Sequence, residues 1–246
     1  MRHVLVVGRP GVGKTTLLKR LTLALRGAAI DGFLTEEMRE HELRVGYWLS
    51  SLDGRQVLLA HRSKGAGPKV GPYHINVQVL ETVAVPIIRR ALRSAFILFL
   101  DEVGTMEAAS PDFRQAVQEA FDQATAIVAT AGTASTPLLD ALKRRKDVEL
   151  VPLTPTNRDA VELELTARLQ ALCAEDDAVR ALQWQADRIC EMIVTGEAAL
   201  IDIEIAQAGL REAVARAFPE KQALYQLLYE SRFRRLWQQF RHEEPR

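Results

Sequence analysis

The chain has 246 residues, enough for one large domain or for a domain of ordinary size with an appendage. Its 32 basic residues balance its 32 acidic residues, so no global field draws it to nucleic acid or to an anionic membrane. We therefore expect neither of these among its partners.

Hydropathy and cysteine usage point to a compartment. No apolar run approaches the length of a membrane-spanning helix, and the first strand begins too close to Met1 for a signal peptide to precede it. Cys173 and Cys190 lie in helical patterns without metal-ligand spacing, which predicts two buried thiols in a reducing compartment. A soluble cytoplasmic protein is the expectation.

The first motif in the chain is G-R-P-G-V-G-K-T at residues 8–15, between an apolar run at 4–7 and an amphipathic segment at 17–25. Strand, glycine-rich turn and helix in this order are the setting of a phosphate-binding loop. Lys14 is then expected to reach the β- and γ-phosphates and the Thr15 hydroxyl to bind Mg²⁺. The residues expected to hold a nucleoside triphosphate here are Gly8, Arg9, Pro10, Gly11, Val12, Gly13, Lys14, Thr15 and Thr16.

The pattern that follows predicts alternating strands and helices with one interruption. A strand at 28–30 is followed by a hairpin, with strands at 43–50 and 56–60 around Asp53-Gly54, which we interpret as an insertion beside the core sheet. Residues 62–72 are predicted to be a loop, 73–79 a strand, and 80–92 a helix kinked at Pro86.

Regular alternation resumes with the continuous apolar run A-F-I-L-F-L at 95–100, which is typical of a central strand in a parallel sheet. Ser110 and Pro111 start a helix that reaches residue 121, and further strands are expected at 124–130 and 148–153. Helices are expected at 136–145 and 156–172. The whole pattern predicts an α/β fold with a doubly wound parallel sheet, whose ligands bind at the carboxyl ends of the strands. That rule selects the loops at 8–15, 32–39, 101–107, 130–136 and 154–159.

An acidic pair, Asp101-Glu102, follows the apolar strand directly. Asp101 at this position can hold a phosphate-bound Mg²⁺, and Glu102, pointing in another direction, can act as general base toward an attacking water. The alternative is a surface pair that only ends a strand. Thr130 and Thr133 end a neighbouring strand, either to sense the γ-phosphate or as ordinary turn hydroxyls.

Seven segments together make the chain resemble the THEP-type nucleoside-triphosphatases, a family of small P-loop proteins related to the human cancer-related nucleoside-triphosphatase. They occur in family order: G-R-P-G-V-G-K-T-T-L at 8–17, G-F-L-T-E-E-M-R at 32–39, R-V-G-Y at 44–47, V-G-P-Y at 70–73, L-D-E-V-G-T-M-E at 100–107, R-K-D-V at 145–148 and T-P-T-N-R-D at 154–159. The resemblance implies a three-layer RecA-like fold and Mg²⁺-dependent hydrolysis of a broad choice of nucleoside triphosphates. Thr105 replaces a usual lysine, and His41-Glu42 replaces a usual glycine pair.

Two basic features have open interpretations. Asn157 and Arg158 follow the last strand, which should flank the first, so Arg158 is a candidate for stacking on the base or contacting phosphate, the alternative being a helix start with a solvated arginine. The run Lys143–Lys146 is either a solvated surface or the source of an arginine finger or polyanion contact.

The resemblance ends near residue 172, so we expect a P-loop domain at 1–172 and an all-helical appendage at 173–246. A helix boundary is predicted at 174–177. After it, apolar residues repeat at helical spacing from Val179 to Val214, and a last helix follows Pro219. This stripe belongs either to a helical hairpin or three-helix cap packed on the P-loop domain, or to an arm that binds a protein partner or a second copy.

The expected function is hydrolysis of a nucleoside triphosphate. The first alternative is a kinase that transfers the γ-phosphate to a nucleotide or small acceptor, although residues 62–69 offer few arginines for a lid. The second is a nucleotide-gated switch whose helical tail binds a partner.

Overall fold

The computed structural model describes residues 3–41, 43–65, 67–104 and 110–241. The chain divides into two compact units, an N-terminal unit of Met1–Cys173 and a C-terminal unit of Ala174–Arg246. Within the described residues, none of the helices combines the length and the apolar character needed to cross a membrane.

The N-terminal unit is built on one mixed sheet, which has nine strands in the described residues, in the order β5-β6-β4-β3-β2-β7-β8-β1-β9. The strands are β1 His3–Val7, β2 Ile30–Glu40, β3 Leu43–Ser51, β4 Gln56–His61, β5 Lys69–Val70, β6 Tyr73–Ile75, β7 Ile97–Leu100, β8 Ala126–Ala131 and β9 Val148–Pro152.

Five neighbouring strands, β9-β1-β8-β7-β2, pair in parallel and form the core of the sheet. All residues of β7 and β8 are buried, as the apolar run at 95–100 predicts for a strand covered on both faces. Because the strands are parallel, the loops that follow β1, β7 and β8 come together at one edge. The prediction that the last strand flanks the first is confirmed, since β9 pairs with β1.

The remaining strands extend this sheet in antiparallel pairs. The hairpin at Asp53-Gly54 is confirmed, and its strands β3 and β4 flank the parallel core as part of the same sheet. The prediction of a loop at 32–39 is wrong, because β2 runs on to Glu40 and pairs with β3 after its pairing with β7 has ended at Phe33. The predicted loop at 62–72 contains the short strand β5, and the predicted strand at 73–79 ends at Ile75.

Helices cover both faces of the sheet and complete the three expected layers. They are α1 Lys14–Ala24, α2 Val77–Val79, α3 Val85–Ser94, α4 Pro111–Gln123, α5 Pro137–Lys143 and α6 Arg158–Thr195. Apolar side chains of α3, α4 and α5 bury one face of the sheet, and those of α1 and the first part of α6 bury the other. Ser110 caps α4 as predicted, by accepting a hydrogen bond from the Phe113 amide. The helix predicted at 80–92 is confirmed as part of a continuous helical stretch at 77–94, in which a π-helical turn at Leu80–Ala84 directly precedes the turn that contains Pro86.

The C-terminal unit has an apolar core of its own. It contains the second part of α6, followed by α7 Leu200–Ala217, α8 Gln222–Tyr225 and α9 Ser231–Phe240. The predicted apolar stripe is buried inside this unit, where Ile189 and Ile193 join side chains of α7 and α9. Cys173 and Cys190 are both buried thiols, as expected.

The helix boundary predicted at 174–177 is wrong, because α6 continues unbroken to Thr195. The segment contains alanine and acidic residues, which are compatible with a helix, and Asp176 forms an ion pair with Arg180, one helical turn later. The first residue unfavourable to a helix is Gly196, whose φ is 73°.

Candidate active site

The phosphate loop joins the end of β1 to the start of α1. Gly11 and Gly13 adopt left-handed backbone angles, with φ of 77° and 102°, which other residues rarely adopt. A Cβ atom on Gly8 would lie 2.7 Å from Val12 Cγ1 and 2.9 Å from the carbonyl oxygen of Leu153. The loop therefore requires its glycines. It leads directly into α1, which begins at Lys14 and presents the amide groups of its first turn. Arg9, Pro10 and Thr16 are exposed on this loop.

Lys14 is buried and folds back over the loop. Its Nζ donates hydrogen bonds to the carbonyl oxygens of Gly8 at 3.1 Å and Arg9 at 3.4 Å. The same nitrogen lies 3.9 Å from Glu102 Oε2, and only 5% of the side chain is exposed. The ammonium charge therefore sits between the phosphate loop and the acidic pair.

Asp101 is fully buried, and three donors surround its carboxylate. Thr15 Oγ1 and the Thr35 amide donate to Oδ2 at 2.6 and 3.0 Å, and Thr130 Oγ1 donates to Oδ1 at 2.5 Å. Burial raises the pKa of Asp101 above its usual value, while these hydrogen bonds and the charge of Lys14 oppose the rise. Thr15 and Asp101, predicted from motifs that lie far apart in sequence, are thus brought into direct contact.

Glu102 has a left-handed backbone, with φ of 62°, although it is not a glycine. Its amide donates a 2.7 Å hydrogen bond to Thr130 Oγ1, which fixes this conformation. The Glu102 carboxylate therefore points away from Asp101 and toward Lys14. Burial raises the pKa of the Glu102 carboxyl; the Lys14 charge opposes this, the Asp101 charge adds to it, and the Arg44 charge opposes it.

The two threonines predicted near the end of β8 behave differently. Thr130 is buried and links Asp101 to the Glu102 amide, so it is a positioning residue for the acidic pair. Thr133 is exposed. Thr35, which no sequence pattern singled out, contacts Asp101 through both its amide and its hydroxyl. The signal for Thr35 was its place in G-F-L-T-E-E-M-R, but a segment interpreted as a loop gave no reason to select one residue.

Asn157 and Arg158 lie after β9, beside the phosphate loop. The Asn157 side chain is used within its own turn, where it accepts from the Thr154 amide at 2.8 Å and donates to the Pro152 carbonyl at 2.9 Å. Arg158 is exposed, and its Cδ would lie 3.3 Å from a Cβ built on Gly13. A small cavity of about 120 Å³ next to it is lined by Gly13, Thr16, Leu17, Arg20, Arg158, Asp159 and Glu162.

A much larger cleft, of about 760 Å³, is lined by Lys14 and shares Gly13 and Thr16 with the small cavity. One part of its wall is the phosphate loop with Glu102, and the other part comes from the antiparallel strands. The lining residues of that second part include Thr35, Glu37, Arg44, Tyr47, Leu59 and Tyr73.

Arg145, in the basic run, is at the opposite edge of the sheet, because it precedes β9. Its guanidinium pairs with Asp122 and Asp147 and donates to the Phe121 carbonyl. Arg145 therefore joins α4 to the start of β9 and does not face the phosphate loop of its own chain. Thr105 and Glu42, which depart from the family pattern, lie outside the described residues.

Comparison with known proteins gives consistent matches. A family model described as NTPase matches residues 3–166. Nucleoside-triphosphatase THEP1 from Thermotoga maritima is 38% identical over 167 residues, which are 68% of this chain and 95% of that protein. The cancer-related nucleoside-triphosphatase homolog of Mus musculus is 33% identical over 187 residues, covering 69% of this chain and 97% of that protein.

Solved structures agree with these relatives. The crystal structure of THEP1 from the hyperthermophile Aquifex aeolicus has a TM-score of 0.63 and 34% identity, covering 68% of this chain and 98% of that chain. The solution structure of a human cancer-related nucleoside triphosphatase has a TM-score of 0.60 and 31% identity, covering 70% and 98%. These matches confirm the resemblance and the fold class, and the family model ends before the C-terminal unit begins.

Proposed function

The chain belongs to the NTPase family, and from this membership we propose that it hydrolyses the β–γ bond of ATP, GTP and other nucleoside triphosphates with Mg²⁺, giving a diphosphate and phosphate. The observation that carries the proposal is the convergence of Lys14, Thr15, Asp101 and Glu102 at one end of the phosphate loop. Each of these side chains contacts another of the set, Thr15 with Asp101 at 2.6 Å and Lys14 with Glu102 at 3.9 Å.

The oxygen atoms at this point suit Mg²⁺. Thr15 Oγ1 and Asp101 Oδ2 lie 2.6 Å apart, at the end of the loop where the phosphates would bind. Mg²⁺ commonly takes one or two protein oxygens and completes its shell with waters and substrate phosphates, so these two atoms are sufficient ligands. When bound, Mg²⁺ would supply positive charge that neutralises the charge developing on the phosphate oxygens.

The protein's own groups supply the other requirements of the reaction. The loop amides and Lys14 hold the β- and γ-phosphates, with Lys14 leaving the carbonyls of Gly8 and Arg9 to do so. Glu102 accepts the proton of a water that attacks the γ-phosphorus, since its carboxylate is separate from the Thr15–Asp101 contact. Arg158, beside Gly13, lies along the base or ribose, while Asn157 holds the turn that presents it.

Further parts of the proposal concern the whole chain. We propose that residues 1–172 are the catalytic domain and 173–246 an appendage that binds a protein partner or a second copy. The large apolar side chains exposed on that appendage are the reason, among them Trp184, Ile201, Ile205, Leu227 and Leu228. We also place the protein in the cytoplasm, because both of its cysteines are buried thiols, and expect no nucleic-acid or membrane partner, because its charge is balanced.

The test is phosphate release from each nucleoside triphosphate by the purified chain and by Lys14→Ala. We expect Lys14→Ala to abolish release and to weaken triphosphate binding, because it removes the charge that faces the β- and γ-oxygens. Lys19→Ala is the matched control, since Lys19 is an exposed lysine of the same helix that pairs with Glu36. Normal turnover by Lys14→Ala would overturn the assignment, and release only in the presence of a phosphate acceptor would favour a kinase.

A further inference from the structure

Arg44 lies on the far wall of the large cleft, opposite the phosphate loop. Thr35 and Glu37 are two residues apart on β2, so their side chains lie on the same face of the strand, and Thr35 contacts Asp101. Glu37 is two residues further on, about 7 Å along the strand. Arg44, on the neighbouring strand β3, forms an ion pair with Glu37 and lines the same cleft as Lys14 and Glu102. Its guanidinium therefore lines the cleft at a point farther along β2 than Thr35, which contacts the expected metal-binding residue Asp101.

The hydrogen bonds of this guanidinium are incomplete. Nη2 pairs with Glu37 Oε1, and Nη1 donates to the Tyr47 hydroxyl at 3.2 Å. The Nε atom is buried and has no hydrogen-bond partner among the described residues. A buried donor without an acceptor is costly, so a ligand that brings an acceptor to this position gains affinity there.

The carboxylate that Arg44 contacts also has a second arginine partner. Glu37 is shared, because Arg39 donates to Glu37 Oε2 through Nε at 3.0 Å and through Nη2 at 2.8 Å. Two guanidinium groups thus contact the two oxygens of one carboxylate. Both arginines line the cleft, but Arg44 is the one whose Nε is buried without a partner among the described residues, and its side chain is 29% exposed against 53% for Arg39.

We propose that Arg44 contacts the terminal phosphate of the bound nucleoside triphosphate and supplies, within the same chain, a positive charge that stabilises the transition state. The proposal rests on the proposed hydrolytic function and adds a catalytic residue to it. A bond forms between the water oxygen and the γ-phosphorus as the bond to the β–γ bridging oxygen breaks. The bridging oxygen keeps the electron pair and leaves with the diphosphate, and the water proton goes to Glu102. Arg44 donates hydrogen bonds to γ-phosphate oxygens throughout.

Other arginines near the loops are less suited to this role. Arg158 adjoins Gly13 and lines the small cavity rather than the large cleft, and Arg145 is held by two aspartates at the other edge of the sheet. The guanidinium of Arg44 also lies over the ring of Tyr47, with 5.8 Å between its guanidinium carbon and the ring centre. The buried Nε is then the donor that a phosphate oxygen would satisfy.

The test compares Arg44→Ala, Arg44→Lys and the control Arg39→Ala, which removes the other arginine on the same carboxylate. We expect Arg44→Ala to lower kcat by about 10²-fold or more, because an arginine that contacts the transferring phosphate contributes at least this much. KM should change by less than about tenfold, since the loop and Lys14 still bind the triphosphate. Arg44→Lys should recover part of the rate, as it keeps the charge and loses the planar fork. Arg39→Ala should stay within about threefold of the unmodified chain.

A second readout uses ADP with aluminium fluoride and Mg²⁺, a mimic of the transferring phosphate. The unmodified chain and Arg39→Ala should form a stable complex, whereas Arg44→Ala should fail to do so while it binds a non-hydrolysable ATP analogue normally. Arg44→Ala that forms the fluoride complex and turns over normally overturns this inference, and so does an equal loss in Arg39→Ala. The proposed function fails separately, if Lys14→Ala is active or the unmodified chain is not.

Discussion

Asp101 and Glu102 are adjacent in sequence, yet their environments give them separate tasks. Thr130 makes the difference, because its hydroxyl donates to the Asp101 carboxylate and accepts from the Glu102 amide. The left-handed backbone at Glu102 then directs the second carboxylate to Lys14. One side chain on β8 thus fixes both members of the pair.

Exchanging each carboxylate for its amide should separate these tasks. Glu102→Gln should keep the nucleotide and Mg²⁺ bound while kcat falls by about 10²-fold or more, because the amide cannot accept the water proton. Asp101→Asn should instead raise the Mg²⁺ concentration needed for half-maximal phosphate release. If Glu102→Gln hydrolyses at the rate of the unmodified chain, another group or the substrate itself takes the proton.

For individual residues, the sequence predicts well which side chains belong to the site, and it predicts their contacts less well. The phosphate loop and the acidic pair each lie in a short contiguous motif, so their residues could be selected without coordinates. Thr35 could not, because its value comes from the register of β2 beside β7, which places its amide at Asp101. Arg44 depends in the same way on the pairing of β3 with β2.

Strand β2 is the element that connects the parallel core to the antiparallel extension. Its first residues pair with β7 and its later residues pair with β3, so one strand of eleven residues serves both. Gly32 lies one residue before Phe33, where the two pairings overlap; its φ is 140°, and a Cβ there would be 2.0 Å from the Phe99 carbonyl oxygen. The hydrophobic pattern indicated only 28–30 as a strand, because Asp31 and Gly32 are typical turn residues when only local sequence is considered.

Gly32→Ala should therefore lower the free energy of unfolding by about 2 kcal/mol or more, from backbone strain together with the clash against β7. Gly27→Ala is the matched control. Gly27 also has a positive φ, of 93°, but a Cβ there would have no described atom within 4 Å apart from those of its chain neighbours. Thermal unfolding followed by circular dichroism measures both variants. Equal midpoints for the two would show that the clash with Phe99 is relieved at no cost.

For the whole molecule, the main question is how far the two units depend on each other. The buried apolar residues of the N-terminal unit end with Cys173, and those of the C-terminal unit begin at Ala186. The sequence predicted the apolar stripe of the tail but not its partner, since spacing shows which residues are buried and not what buries them.

A chain cut after Leu172 should fold and release phosphate within a few-fold of the full rate, because every proposed catalytic group precedes the cut. Static light scattering of both chains gives their masses. A dimer that becomes a monomer on truncation would assign self-association to the tail, whereas the same number of chains per particle in both would leave the tail to bind a different protein. A truncated chain that folds and fails to hydrolyse would contradict the proposed domain boundary.

The central claim is that water attacks the γ-phosphorus and the β–γ bond breaks. Hydrolysis of ATP in oxygen-18 water, with the products resolved by phosphorus NMR, tests this most directly. We predict one labelled oxygen in inorganic phosphate, no label in ADP, and a rate reduced about 10²-fold or more in Glu102→Gln. Label in the nucleotide product, or phosphate that appears only as an ester of an added acceptor, would contradict it.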